Sequence, residues 1–114
     1  MRFIALDKLI NLYDGYRKQC VVNRRELLLI QENNELFLIQ SSCPHMHWPL
    51  ITADIHKKSI RCTKHGMSFN LVTGGPDNHA AKDCRWLTLY PIAYEGDSVG
   101  VKLSDLISDP ELRI

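Results

Sequence analysis

Two short segments, Cys43-Pro44-His45 and Cys62-Thr63-Lys64-His65, constrain this chain more than any other feature. Each pairs one thiol with one imidazole, and sixteen residues separate His45 from Cys62. Soft sulfur and borderline nitrogen ligands in that mixture suit a transition-metal centre. A fold that uses them has to bring two distant loops to one point. The remainder of the chain then has to supply a scaffold that holds both.

With 114 residues the chain fits one domain, residues 1–114, with one sizeable core. Fourteen Lys+Arg against thirteen Asp+Glu leave a net charge of +1, which argues against a dedicated nucleic-acid binder. No apolar run approaches the roughly 18 residues of a membrane span, so no membrane association is expected. The start, Met1-Arg2-Phe3-Ile4-Ala5-Leu6-Asp7, has too short an apolar run for a secretory signal. The expected compartment is therefore cytoplasmic. Thiols stay reduced there, so four cysteines point to metal or redox chemistry before a disulfide frame.

Short apolar runs bounded by turn residues predict an all-β architecture. Phe3 to Leu6 reads as a first strand, and Leu9 to Tyr13 is ambiguous between strand and helix. Tyr16 to Val22 is a second strand, followed by a polar turn at Asn23-Arg24-Arg25. Glu26 to Ile30 and Glu35 to Ile39 form a predicted hairpin around Gln31-Glu32-Asn33-Asn34. Their near-continuous apolar runs imply burial on both faces. Residues 41–76 differ in texture: they hold four of the five histidines and two of the four cysteines. They read as an inserted subdomain carrying the chemistry, with Ser59 to Arg61 and Met67 to Val72 pairing as short strands. Leu87 to Tyr94 is a predicted strand whose Pro91 belongs at an edge or bulge. Val99 to Leu103 is a half-buried strand. Residues 104–114 form an acidic tail, where Ser104-Asp105 could cap a short helical turn.

Two metal centres suit the Cys/His set. A tetrahedral Cys2His2 zinc site is one. The other is a [2Fe–2S] cluster with two cysteines on one iron and two histidines on the second. Zinc fingers usually supply the cysteines as one close pair and the histidines as another, whereas here each loop supplies one of each.

Cys43-Pro44-His45 with Trp48-Pro49-Leu50, Cys62-Thr63-Lys64-His65-Gly66, Phe69 and Thr73-Gly74-Gly75-Pro76 together give CxH-x16-CxxHG plus TGxP. This pattern resembles the Rieske family, and the likeness extends through Leu89-Tyr90-Pro91-Ile92 and Val99-Gly100-Val101. The resemblance implies a Rieske-like fold: an antiparallel barrel-like base with an inserted cluster-binding subdomain at residues 41–76. It implies one [2Fe–2S] cluster, with Cys43 and Cys62 on the inner iron and His45 and His65 on the outer iron. Gly66 would let the backbone pass close to the cluster. Gly74, Gly75 and Pro76 would shield it from water.

Departures from the family point to a subclass. High-potential Rieske proteins carry an extra cysteine in each loop, joined as a disulfide; the corresponding positions here are Trp48 and Lys64. Those proteins also place a serine and a tyrosine after the second loop, where this chain has Met67 and Phe69. Without hydroxyl donors to sulfur the reduced state is less stabilised. The expected potential lies near the low end of the Rieske range, roughly −150 mV on a span reaching about +300 mV. Most members have glycine where this chain has His47. If that glycine has positive φ, His47 is strained or the loop differs.

Other residues have plainer readings. Cys20 is expected to be buried and apolar, Cys84 to be exposed, and His56 and His79 to be solvated. Trp48 either packs its loop or serves as part of a docking surface or a path for the electron. Lys57, Lys58, Arg61 and Lys64 against Asp54 either steer an acidic partner or form a solvated surface. No dinucleotide fingerprint is present. The resemblance thus implies an electron-carrying ferredoxin and not a complete enzyme. Its partners would be a flavin-containing reductase and a terminal oxygenase or other redox protein. Alternatives are the small subunit of an assimilatory nitrite reductase and a zinc-stabilised binding module. The sequence leaves the oligomeric state open.

Overall fold

Strand β3 (Arg25–Glu32) shows why the central apolar runs lack a polar alternation. Leu27, Leu28, Leu29 and Ile30 are all fully buried. Successive side chains on a strand point to opposite faces. Leu27 and Leu29 enter one core, with Leu6, Tyr16, Val99, Val101 and Leu106. Leu28 and Ile30 enter a second, with Ile60, Phe69, Cys43 and Cys62. Strand β4 (Glu35–Gln40) divides in the same way, with Leu38 in the first core and Phe37 and Ile39 in the second.

These relations come from a computed structural model that describes residues 2–44, 47–64 and 66–107. The other strands are β1 (Phe3–Lys8), β2 (Arg17–Val22), β5 (Asp54–His56), β6 (Ser59–Arg61), β7 (Ser68–Asn70), β8 (Ala93–Glu95) and β9 (Ser98–Lys102). They form three antiparallel sheets, β1-β9-β8, β2-β3-β4 and β5-β6-β7. In the middle sheet β3 and β4 are buried on both faces, while β2 buries only Cys20 and Val22. One face shares its core with β1-β9-β8, which together form the all-β base. The other face shares its core with β5-β6-β7, which lies within residues 41–76.

The predicted hairpin forms with longer arms, closing at Asn33-Asn34, where both residues have positive φ (50° and 63°). Asn23-Arg24 turns the same way between β2 and β3. Such mirror-image turns match the twist of the flanking strands. The ambiguous segment after β1 becomes a 3₁₀ turn at Leu9–Asn11. Ser59 to Arg61 pairs with Ser68–Asn70 as expected. Leu87 to Tyr94 behaves differently from the expected strand. Its first half only touches β4, through an isolated Ile39–Leu89 bridge and the hydrogen bonds Gln40 N–H to Thr88 C=O and Tyr90 N–H to Leu38 C=O. Regular pairing starts at Ala93, beyond Pro91, which lacks the N–H a ladder needs. Leu103–Ile107 forms a short helix, α1, with Leu106 fully buried. Residues 108–114 of the expected acidic tail lie outside the described residues. Among the described residues no helix is long and apolar enough to cross a membrane.

Candidate metal centre

Two hairpin loops carry the cysteines of interest. The first follows β4 and closes on itself: Ser42 bridges Pro49, and the Leu50 N–H donates to the Ser41 carbonyl at 2.8 Å. The second joins β6 to β7. At their tips they share one hydrogen-bond pattern. The Cys43 N–H donates to the Trp48 carbonyl (2.7 Å), and the His47 N–H donates back to the Cys43 carbonyl (2.8 Å). The Cys62 N–H donates to the Met67 carbonyl (2.8 Å), and the Gly66 N–H donates back to the Cys62 carbonyl (2.8 Å). Each cysteine thus stands at the base of an equivalent turn. Both are fully buried in the same apolar cluster, and neither is in a disulfide.

The fourth residue after each cysteine has left-handed backbone, His47 at φ +56° and Gly66 at φ +70°. His47 therefore keeps the conformation a glycine would adopt, and the loop does not rearrange around it. A non-glycine residue there carries strain of about 1–2 kcal/mol. Gly66 also has a neighbour: a Cβ there would lie 3.3 Å from an Arg61 guanidinium nitrogen.

A third segment braces the second loop. The Asn78 side-chain amide donates to the Gly66 carbonyl (2.8 Å), while its oxygen accepts from the Ser68 N–H (3.1 Å) and the Ala81 N–H (3.2 Å). Asn78 thus caps the 3₁₀ turn at His79–Ala81 and ties it to the loop. At Gly74, φ is +83° and a Cβ would lie 2.3 Å from the Leu87 carbonyl oxygen, so a larger residue is excluded by backbone. Trp86 covers Gly75, with ring atoms 3.3–3.4 Å from where a Cβ would stand. The buried Gln40 amide donates to the Ser42 carbonyl and accepts from the Thr88 N–H, each at 2.7 Å. It links the first loop to the segment that Gly74 contacts through Leu87. Sequence reading missed Gln40 and Asn78. The available signals were a glutamine ending an apolar run and an asparagine before a short helical stretch.

The neighbours of the loops are ordered in specific ways. The Lys64 ammonium lies 5.0 Å from the centroid of the Trp48 ring. Lys58 pairs with Glu35 at 2.9 Å, outside the Cys43–His65 span, so one of the four basic side chains is neutralised locally. Met67 and Phe69 bring no hydroxyl, and Phe69 is fully buried. Cys84 is half-buried, not exposed, and its thiol donates to the Met67 sulfur at 3.4 Å. Cys20 is buried as expected, and that burial raises its thiol pKa. His56 and His79 are exposed. Of the expected ligands, Cys43 and Cys62 are brought into one buried cluster, whereas His45 and His65 lie outside the described residues.

Residues 3–91 match the family model described as the Rieske [2Fe-2S] domain. Human apoptosis-inducing factor 3 is 27% identical over 94 residues, covering 82% of this chain and 15% of that protein. The chain thus spans only a small part of the curated relative it matches. The Sphingomonas yanoikuyae B1 ferredoxin superposes with a TM-score of 0.76 at 20% identity, covering 89% of this chain and 98% of that one. A chain from a complex of reduced oxygenase and oxidized ferredoxin in carbazole 1,9a-dioxygenase gives 0.74 at 18% identity, covering 87% and 100%. These structures share the fold. The chain belongs to the Rieske [2Fe–2S] domain family, which implies one [2Fe–2S] cluster. Two fully buried thiols at matching places on matching loops are a donor pair that fits it.

Proposed function

We propose that this member of the Rieske [2Fe–2S] domain family is a one-electron carrier, with Cys43, His45, Cys62 and His65 as cluster ligands. The observation that carries this reading is the matched pair of loops, each presenting a buried thiol from an equivalent turn. In each segment a histidine follows the cysteine, by two residues in the first and three in the second. A bound [2Fe–2S] cluster supplies the one-electron couple. The chain's own residues hold and shield it. Leu50, Ile60 and Phe69 share one buried apolar cluster with both thiols. Gly74 lets the third segment pack against Leu87, and Asn78 fixes the carbonyl beside the second loop.

The absence of hydroxyl donors at Met67 and Phe69 supports a potential at the low end of the family's range. Met67 has its sulfur turned to the Cys84 thiol instead. Such a potential suits a ferredoxin delivering electrons to a terminal oxygenase, as the likeness to the ferredoxin of the carbazole 1,9a-dioxygenase complex supports. A flavin-containing reductase is the proposed donor, and the cytoplasm the proposed setting. Residues 1–114 act as one domain in this reading, with 41–76 as its cluster-binding part.

Anaerobic purification with iron available tests the proposal. A brown protein with iron and acid-labile sulfide in equal amounts supports it. A colourless protein with one zinc and no iron overturns it.

A further inference from the structure

We infer that Lys64 and Trp48 are positioning residues that clasp the two loops together at their outer edge. The inference rests on the proposed function for its meaning, but its geometry stands alone. Trp48 belongs to the first loop, and its carbonyl accepts the Cys43 N–H at 2.7 Å. Lys64 belongs to the second loop, two residues beyond Cys62. Its ammonium is 5.0 Å from the Trp48 ring centroid.

The contact therefore joins two hairpin tips, each of which also closes through hydrogen bonds of its own. Below the tips the loops meet through the apolar core that contains Cys43 and Cys62. Trp48 is 40% exposed and Lys64 is exposed, so the indole and the ammonium meet at the surface. A cation over an indole face is held by the ring quadrupole, and the attraction strengthens when water is kept away. One end of the clasp is anchored through the Trp48 backbone to Cys43. The other end is carried between Cys62 and His65. Movement of either tip is thereby coupled to the other.

Hydrogen exchange read by mass spectrometry on the as-isolated protein tests this coupling. Lys64→Met is expected to speed exchange in residues 43–50, the loop it does not belong to, as well as in residues 62–67. Trp48→Leu is expected to do the reverse. Lys64→Arg, which keeps a cation for the ring, is expected to restore protection in both loops. Exchange that rises only in the substituted loop, or that Lys64→Arg fails to restore, overturns the clasp. If Trp48→Leu fails to fold, the Lys64 variants decide alone.

Iron release to a chelator provides a second reading. Either single variant is expected to release iron about two- to fivefold faster. The double variant should be no faster than the worse single one; independent, multiplying effects contradict the proposal. A wild-type protein without iron would overturn the cluster assignment instead, and the exchange experiment would still decide the clasp.

Discussion

The loops at residues 43–48 and 62–67 close alike but carry different residues at the left-handed position. Both close by the same pair of hydrogen bonds, and both put the fourth residue after cysteine in the left-handed region. The second loop has Gly66 there; the first has His47. Shared geometry with unshared residues means that the turn is imposed by what surrounds it. For the first loop that is the Ser42–Pro49 bridge, the Leu50–Ser41 hydrogen bond and the Gln40 amide. For the second it is the β6–β7 ladder and Asn78. The first loop tolerates a strained residue because its base is fixed on both sides.

Removing a thiol should break this equivalence most severely. Cys43→Ser and Cys62→Ser are each expected to abolish the cluster, read as loss of visible absorption and of iron. Retention of a full cluster in either would mean that the loops are not equivalent ligand carriers. The left-handed positions come next and sharpen the comparison by sign. Gly66→Ala is expected to destabilise by about 1–2 kcal/mol, since it adds strain and presses on Arg61. His47→Gly is expected to stabilise by up to about 1 kcal/mol, the strain relieved being partly offset by the unfolded-state entropy of glycine. Denaturant titration measures both, and changes of the same sign would refute imposed equivalence.

A smaller effect concerns the reduced state. Phe69→Tyr is expected to raise the potential if the new hydroxyl reaches sulfur, and voltammetry reads it. No shift would place residue 69 out of reach of the sulfurs. The smallest effect lies in the base, away from both loops. Asp7 accepts hydrogen bonds from the Asn11 amide, the Tyr16 hydroxyl and the Lys8 N–H, which lower its pKa from 3.8 to about 2. A depressed carboxyl contributes stability that is fully present above its unfolded value. It is lost as pH falls from about 3.8 through about 2. Asp7→Asn is expected to lower stability at neutral pH and flatten that acid transition. An unaltered acid profile would remove Asp7 from the account of the base.

Much of this was legible in the sequence, for reasons that differ by region. The apolar runs of β3 and β4 announced burial on both faces, and the two cores confirm it. Asn33-Asn34 signalled its turn through residues that tolerate positive φ. Lys57-Lys58 makes the same kind of turn, at φ 49° and 64°, without any such signal, so β5 was not foreseen. Tertiary contacts hold it: the Leu71 N–H donates to the Lys58 carbonyl, and β5 pairs with β6. The strand expected from Leu87 failed where Pro91 interrupts pairing. At the candidate centre the motif revealed the thiols, but not Gln40, Asn78 or the Lys64–Trp48 contact. Those depend on residues that meet only after folding.

The most direct test of the central claim is pulsed electron-nuclear spectroscopy on the reduced protein with ¹⁵N-histidine. The matched loops predict a rhombic [2Fe–2S] signal with hyperfine couplings from two histidine nitrogens, one lost in His45→Ala and the other in His65→Ala where a cluster persists. A reduced cluster without any coupled histidine nitrogen would contradict the account.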